Sequence, residues 1–267
     1  MLALAGYAAR AVERSRYLDE RVSVARQLQE AMLTDLPAVE GLETAVLYRP
    51  AARQDMVGGD WYDVYPLPGP DGACGWSVTV GDITGHDMAA ATVMGQVRIM
   101  LRQADHDHPG RPPHHALGAL EAACRHIGIP ASGTLVHAHL TPRAGGHWHL
   151  AWTNAGHPPP VLARADRTDE TLWAHDILLH PSLPAVPRTT HTVLLPPGST
   201  LLLYTDGLVE HRDGDLCEAI AETARLLAAA DPRAPLDGLL RHLVDTVSPP
   251  HADDDTVLLA VRTAPRP

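Results

Sequence analysis

Aspartates that stand beside glycines at the ends of apolar runs are the residues of this chain best suited to chemistry. Asp60 follows two glycines in VGGDWYDV, Asp82 ends the apolar run VTVGD, and Asp206 ends LLLYTD. Residues 253–255, all aspartate, precede the apolar run TVLLAV. A carboxylate in such a place is held at the edge of a core, and a neighbouring glycine lets backbone or ligand approach closely. Several such ends meeting in space would form an all-oxygen site for Mg²⁺ or Mn²⁺.

Each of these aspartates, taken alone, is more typical of a turn than of a ligand. The set favours a metal site, because all four places carry Asp rather than Asn or Ser. Two ions about 3.5–4 Å apart, bridged by carboxylate and water, suit the hydrolysis of a phosphate ester. Asp63 lies in the same segment as Asp60, beside the paired glycines.

Strand and helix signals around the aspartates show no regular βαβ alternation. Strands are predicted at 44–51, 75–83, 134–141, 147–156, 159–166, 171–179, 199–207 and 253–262. Helices are predicted at 88–104, 114–127, 216–229 and 236–247. This order favours an α+β architecture with largely antiparallel sheets.

The N-terminal stretch 7–33 is predicted to form one helix, since it has no proline and no glycine. Apolar residues recur in it at spacings of three and four, at Leu18, Val22, Ala25, Leu28 and Met32. Such a stripe either packs on its own domain or pairs with a second copy as a coiled coil. Pro37 and Gly41 then break the pattern. We therefore divide the chain into an N-terminal linker helix, 1–36, and a globular domain, 37–267.

Composition excludes several classes of protein. Hydrophobic residues make up 45% of the chain and charged residues 20%, which is typical of a folded globular protein. The net charge of −11 argues against nucleic-acid binding. No apolar run approaches the ~20 residues of a membrane span, and no signal peptide is evident, so we expect a cytoplasmic protein. The 17 histidines are mostly scattered, and each is more typical of a solvated or core-filling residue than of a metal ligand.

Five motifs occur in order along the chain: VGGDWYDV, VGDITGHD, TNAGHPPP, LLLYTDGLVE and DDDTVLLAVR. Together they resemble the bacterial branch of the metal-dependent type 2C protein phosphatases. This branch contains the sporulation stage II E phosphatase and the phosphatases that control stress sigma factors by partner switching. The resemblance covers residues 42–262. It implies an αββα sandwich, in which two mainly antiparallel sheets pack face to face between outer helices.

The resemblance also implies two Mn²⁺ or Mg²⁺ ions at one edge of the sandwich. It assigns Asp60 as the bridging ligand, Asp82 and the backbone carbonyl of Ile83 as ligands of the first ion, and Asp206 and Asp253 as ligands of the second. Asp254 is the reserve for Asp253, because the extra Asp255 permits a shift of one residue. Asp63 is a weaker candidate, which would act in the second shell or through solvent.

Three further residues in these motifs have expected roles. His86 either protonates the leaving seryl oxygen or only holds the turn in which it stands. Asp87 replaces the second glycine of the usual Gly-His-Gly pattern and would add a carboxylate near the ions. His157, surrounded by Asn154, Gly156 and three prolines, is predicted to fix a turn.

The function implied is that of a metal-dependent serine/threonine protein phosphatase, with Asp60, Asp82 and His86 taking part in catalysis. Its implied substrate is a phosphorylated anti-sigma-factor antagonist with a STAS-type fold. An upstream sensor domain and a second copy, joined through the N-terminal helix, are further expected partners. Two other functions stay open: a catalytically silent docking module for sigma-factor regulators, and a small-molecule phosphoesterase. The full set of aspartates argues against the docking module, since binding needs no such set of carboxylates.

Overall fold

The computed structural model describes residues 35–50, 58–68, 74–85, 87–184, 186–210, 214–248 and 254–264. These residues form two five-stranded antiparallel sheets that pack face to face, with helices on both outer sides. The α+β sandwich expected from the sequence is thus confirmed.

Ten strands are found in the described residues. The first sheet contains β1 (Leu42–Arg49), β6 (Val161–Ala163), β7 (Asp169–Thr171), β9 (Thr200–Tyr204) and β10 (Thr256–Thr263), in the order β1-β10-β9-β6-β7. The second sheet contains β2 (Asp60–Pro68), β3 (Cys74–Ile83), β4 (Gly133–Pro142), β5 (Trp148–Ala155) and β8 (His191–Leu195), in the order β2-β3-β4-β5-β8.

Four helices cover the outer faces of the sheets in this part of the chain. Helices α1 (Met88–Asp107) and α2 (Pro113–Ile127) pack on the second sheet. Helices α3 (Leu216–Ala229) and α4 (Leu236–Val247) pack on the first sheet. No helix in the described residues combines the length and the apolar content that a membrane span requires.

The core between the sheets arises from strand alternation, since every second side chain of a strand points to the same face. Val78, Val80 and Val136 point inward from the second sheet, and Leu203 and Leu259 meet them from the first. The intervening residues point outward to the helices. The two ends of this sandwich are therefore set by where the inner strands begin and end.

Most predicted elements are confirmed, and α3 and α4 have the predicted limits. Two strands were not predicted. β2 carries aspartates and prolines that are typical of turns, and β8 is an edge strand. The strand expected at 171–179 is wrong for most of its length, because the chain leaves β7 after Thr171 and Leu179 instead pairs with Gly133 of the second sheet. The linker helix predicted at 1–36 lies, apart from its last residues, outside the described residues.

The turn after β5 is closed by the side chain of Asn154. Its Oδ1 accepts a hydrogen bond from the His157 backbone N–H at 2.7 Å, and its Nδ2 donates to the His157 carbonyl at 2.9 Å. The His157 ring is buried, and its Nδ1 lies 2.7 Å from the Thr134 hydroxyl. His157 thus holds a turn, as the sequence indicated. Burial lowers the pKa of His157 to about 3, against a small opposing effect of the Tyr204 backbone.

This buried ring predicts a loss of stability in mild acid. An unfolded histidine titrates near pH 6.5, so below that pH the unfolded chain binds a proton that the folded protein does not. We expect the free energy of unfolding to fall by up to ~1.4 kcal/mol per pH unit on this account below pH 6.5. Urea unfolding between pH 7.5 and 5.5 would measure it. His157→Gln should lose this part of the slope, whereas the exposed His126→Gln should keep it; equal slopes for all three proteins would contradict the prediction.

Candidate metal centre

Aspartates from four strand ends meet at one edge of the sandwich. Asp60 begins β2 and pairs in register with Asp82 near the end of β3. Asp206 follows β9, and Asp254 and Asp255 precede β10. Because β2 is antiparallel to β3, and β9 to β10, a strand's beginning lies beside its neighbour's end. The structure therefore brings five aspartates together, and we call them the acid cluster: Asp60, Asp82, Asp206, Asp254 and Asp255.

Glycine backbones let these groups approach one another. A Cβ atom on Gly59 would lie 1.9 Å from the carbonyl oxygen of Ile83 and 2.9 Å from Oδ1 of Asp82. A Cβ on Gly58 would lie 1.4 Å from Oδ2 of Asp255. The Ile83 N–H also donates to the Gly59 carbonyl at 3.1 Å. Any side chain at Gly58 or Gly59 would displace the cluster, which explains the paired glycines before Asp60.

Asp60 is the most deeply buried of the acid cluster, with 1% of its surface exposed. It receives a hydrogen bond from the hydroxyl of Thr205, which itself accepts from the Val257 N–H at 2.9 Å. Oδ2 of Asp60 and Oδ1 of Asp206 are buried and have no hydrogen-bond partner among the described residues. Buried oxygens of this kind are costly unless a cation or another donor meets them.

Mutual repulsion adds to the effect of burial on the carboxyl pKa values. Burial first, and then the charge of Asp82, raises the pKa of Asp60 well above its ordinary value. Burial and the charge of Asp206 raise the pKa of Asp82 to about 7. Burial and the charge of Asp254 raise the pKa of Asp206 to about 6. Without a cation, the folded protein thus holds several carboxylates that oppose one another's ionisation.

The acid cluster fits divalent cations that prefer oxygen. It offers carboxylates, the nearby carbonyl of Ile83, and two buried oxygens that have no hydrogen-bond partner in the described residues. Mg²⁺ and Mn²⁺ take carboxylate, carbonyl and water ligands. Such ions would also remove the repulsion that raises the pKa values.

Two aspartates that were expected near the ions, Asp63 and Asp87, have other roles in the structure. Asp63 stands three residues after Asp60, an odd number along a strand, so it faces the opposite side of the sheet. There it forms ion pairs with Arg98 and Arg102 of α1, which contradicts a role at the ions. Asp87 caps α1 instead: its carboxylate accepts hydrogen bonds from the N–H groups of Ala89 and Ala90.

Two assigned residues lie outside the described part of the chain, and the last motif differs in part from expectation. His86 and Asp253 lie outside the described residues, so their assigned roles stay predictions. Asp254 is exposed, and its charge raises the pKa of both Asp82 and Asp206. Asp255, which was counted only as an extra residue, is buried and accepts a hydrogen bond from the Tyr48 hydroxyl. The sequence does carry a signal for Asp255, because this residue adjoins an apolar run just as Asp82 does.

Comparisons with known proteins agree with this geometry. The family model of the stage II sporulation protein E (SpoIIE) matches residues 73–264, well over half of the chain. The crystal structure of the RsbU and RsbW domains of Rv1364c from Mycobacterium tuberculosis is 28% identical, with a TM-score of 0.71, over 88% of this chain and 64% of that one. This chain therefore spans less than two thirds of that protein's length.

Two further structures share the fold at low identity. One contains the PP2C phosphatase domain and a fragment of the regulatory domain of SpoIIE from Bacillus subtilis. It is 16% identical, with a TM-score of 0.64, over 83% of this chain and 63% of that one. The other is RsbX in complex with magnesium, 13% identical, with a TM-score of 0.61, over 86% of this chain and 99% of that one.

The crowding of carboxylates predicts a stabilising substitution. In metal-free protein at pH 8, Asp206→Asn should raise the free energy of unfolding by about 1–3 kcal/mol, because it removes one of the opposing charges. In Mg²⁺ the order should reverse, because the wild type gains more from the ion. Thermal unfolding with chelator and with Mg²⁺ measures both states. Asp245→Asn, an exposed site on α4, is the control and should change little in either state. A lower stability of metal-free Asp206→Asn would contradict the repulsion.

Proposed function

The chain belongs to the SpoIIE family of PP2C-type protein phosphatases, and on that premise we propose that it hydrolyses phosphoserine or phosphothreonine in a protein substrate with two Mn²⁺ or Mg²⁺ ions held by the acid cluster. The observation that carries the proposal is the meeting of mutually repelling carboxylates at one end of the sandwich, where Asp60 is buried and Asp82 and Asp206 are half-buried. The magnesium in the structure of RsbX supports the choice of ion.

We propose the ligands that the family resemblance implies, and the described geometry supports some of them. Asp60, which has the deepest place and lies between the other carboxylates, would bridge the two ions. Asp82 and the Ile83 carbonyl would bind the first ion. Asp206, together with Asp253 or Asp254, would bind the second, and Asp254 is supported by its effect on the pKa of Asp206.

When bound, divalent cations lower the pKa of coordinated water and offset the negative charge of a phosphoryl group. The side chains of the protein hold the ligands and the neighbouring backbone in place. The Thr205 hydroxyl donates a hydrogen bond to Asp60, and Oδ2 of Asp60 has no hydrogen-bond partner in the described residues, so it is free to bind an ion. The Asp87 cap fixes the start of α1 just beyond Asp82 and Ile83. His86, which stands between Ile83 and Asp87 in the sequence, is proposed to donate a proton to the leaving seryl oxygen.

The proposed substrate is a phosphorylated STAS-type anti-sigma-factor antagonist in a partner-switching pathway. Its support is family membership, and the similarity to a protein whose structure contains RsbU and RsbW domains. Residues 1–36 are proposed to form a linker helix that joins an upstream sensor domain and dimerises. The globular phosphatase domain would then comprise residues 37–267.

Phosphatase activity should depend on the acid cluster and on added metal. We expect the wild type to hydrolyse p-nitrophenyl phosphate in Mn²⁺ and to lose this activity in chelator. Asp60→Asn should lower kcat by at least ~100-fold while the circular dichroism spectrum stays unchanged, because the bridging carboxylate is lost. Asp253→Asn and Asp254→Asn, assayed side by side, identify the ligand by the larger loss, and Asp245→Asn is the control.

Substrate class is tested with the same proteins. A phosphorylated STAS-type protein, its unfolded phosphopeptide and small phosphate esters are compared by kcat/KM. Preference for the folded phosphoprotein supports the proposal, whereas equal or higher kcat/KM on small esters favours a small-molecule phosphoesterase. Folded protein that binds the phosphoprotein without turnover in either metal indicates a docking module.

The role of the N-terminal segment predicts a change in oligomeric state. Removal of residues 1–34 should convert a dimer into a monomer and change the specific activity, because the segment is proposed to bias the phosphatase domain through dimerisation. Light scattering and the phosphatase assay measure the two effects. A monomeric full chain, together with full activity of the shortened one, would contradict this role.

A further inference from the structure

Three side chains that commonly bind metal meet beneath α1, on the outer face of the second sheet. His137 and His139 alternate along β4 and so share a face, and Asp105 lies in the last turn of α1. Nε2 of His137 lies 3.0 Å from Oδ2 of Asp105, and Nε2 of His139 lies 3.0 Å from Oδ1. One ligand atom from each residue lies within 4.8 Å of the other two. All three residues are buried.

This trio is separate from the acid cluster. In the β3–β4 pairing, Asp82 is opposite Thr134, whereas His137 is opposite Thr79. Three residues along a strand span about 10 Å, so the trio lies well inside the sheet rather than at its edge. Trp61 and Leu135, which belong to the apolar contacts with α1 and α2, share the outer face with it.

We propose that Asp105, His137 and His139 form a structural zinc site. Two imidazole nitrogens and one carboxylate are donors that favour Zn²⁺ over the oxygen-preferring Mg²⁺. Zinc bonds of ~2.0–2.1 Å in tetrahedral geometry separate ligand atoms by about 3.3 Å. The two 3.0 Å separations are close to that value but run to different oxygens of Asp105, whereas one ligand atom from each residue lies within 4.8 Å of the others, so the three side chains would draw together around the ion.

Neighbouring hydroxyls orient the proposed ligands. The Thr79 hydroxyl lies 2.8 Å from Nδ1 of His137, which leaves Nε2 to point toward Asp105. That Nε2 is buried and makes no well-directed hydrogen bond within the described residues. The Tyr65 hydroxyl donates to Oδ2 of Asp105 at 2.7 Å. Partners of this kind fix the tautomer and orientation of metal ligands.

The charge state of His139 agrees with a ligand role. Burial lowers the pKa of His139, partly opposed by its hydrogen bond to Asp105, which favours the neutral ring that zinc requires. Nε2 donates its hydrogen to Asp105, and zinc binding would shift that hydrogen to Nδ1. The ion would tie the end of α1 to β4 and so fasten the helix to its sheet. Because all three residues are buried, we assign the site a structural role.

The proposal is tested on full-length protein without an affinity tag, stripped of metal and then given Zn²⁺ in an excess of Mg²⁺ that occupies the acid cluster. We expect about one zinc per chain after gel filtration, and a higher melting temperature with zinc than without it. His139→Gln, at the more exposed side of the trio, should weaken zinc binding by at least ~100-fold and abolish the thermal shift.

Two controls separate this site from others. His149→Gln, a histidine on the neighbouring strand β5, should retain zinc and the thermal shift. Asp206→Asn should retain them as well, because its loss affects only the acid cluster. Zinc that is retained in His139→Gln, or lost in Asp206→Asn, would overturn the proposal. So would the absence of bound zinc in the wild type, which would leave a hydrogen-bonded Asp105 between two histidines.

X-ray absorption of the zinc-loaded wild type gives a measurement that needs no variant. We expect the signature of two imidazole ligands in a four-coordinate shell. A shell made only of oxygen would assign the ion to the acid cluster and overturn the proposal, even if His139→Gln failed to fold. Neither result depends on phosphatase activity, so failure of this proposal and failure of the proposed function are distinguishable.

Discussion

The repulsion between buried and half-buried carboxylates at the edge of the sandwich is the constraint on which the site depends. Burial and the neighbouring aspartates raise the pKa values of Asp60, Asp82 and Asp206, so the charged form of each is opposed by the others. A fold optimised only for stability would place neutral residues there. The repulsion instead gives a bound dication a large electrostatic advantage, and it links ion binding to the stability of the folded protein.

Both sheets contribute aspartates to this edge, and both are needed. The second sheet supplies Asp60 and Asp82 as a register pair, whereas the first supplies Asp206 and Asp255 from the chain around β9 and β10. The glycines at 58 and 59 let the two groups come together, since a Cβ at Gly58 would collide with Asp255. The apolar contacts between the sheets therefore position the site, because they fix how closely these strand ends approach.

Sequence analysis predicted the architecture and most of the acid cluster, and its errors have physical causes. Asp60, Asp82 and Asp206 were found because each adjoins an apolar run or paired glycines, which is a local signal. Asp63 was misjudged because strand β2 was not predicted, and only its alternation shows that this residue faces α1. Asp105 was missed as a partner of His137 and His139, because 32 positions separate it from the nearer histidine and only folding joins them.

The two proposed metal sites occupy different places on the second sheet, because Asp60 and Asp82 lie on β2 and β3 whereas His137 and His139 lie on β4. Asp60 and Asp82 lie at the sheet's edge, where backbone carbonyls and solvent add further oxygen ligands. His137 and His139 lie on the covered outer face, where α1 excludes water and hydroxyls fix the imidazole tautomer. The oxygen-rich edge suits exchangeable Mg²⁺ or Mn²⁺, and the buried nitrogen donors suit a retained zinc ion. Helix α1 connects the two places, since it begins just after Asp82 and ends at Asp105 and the residues beside it.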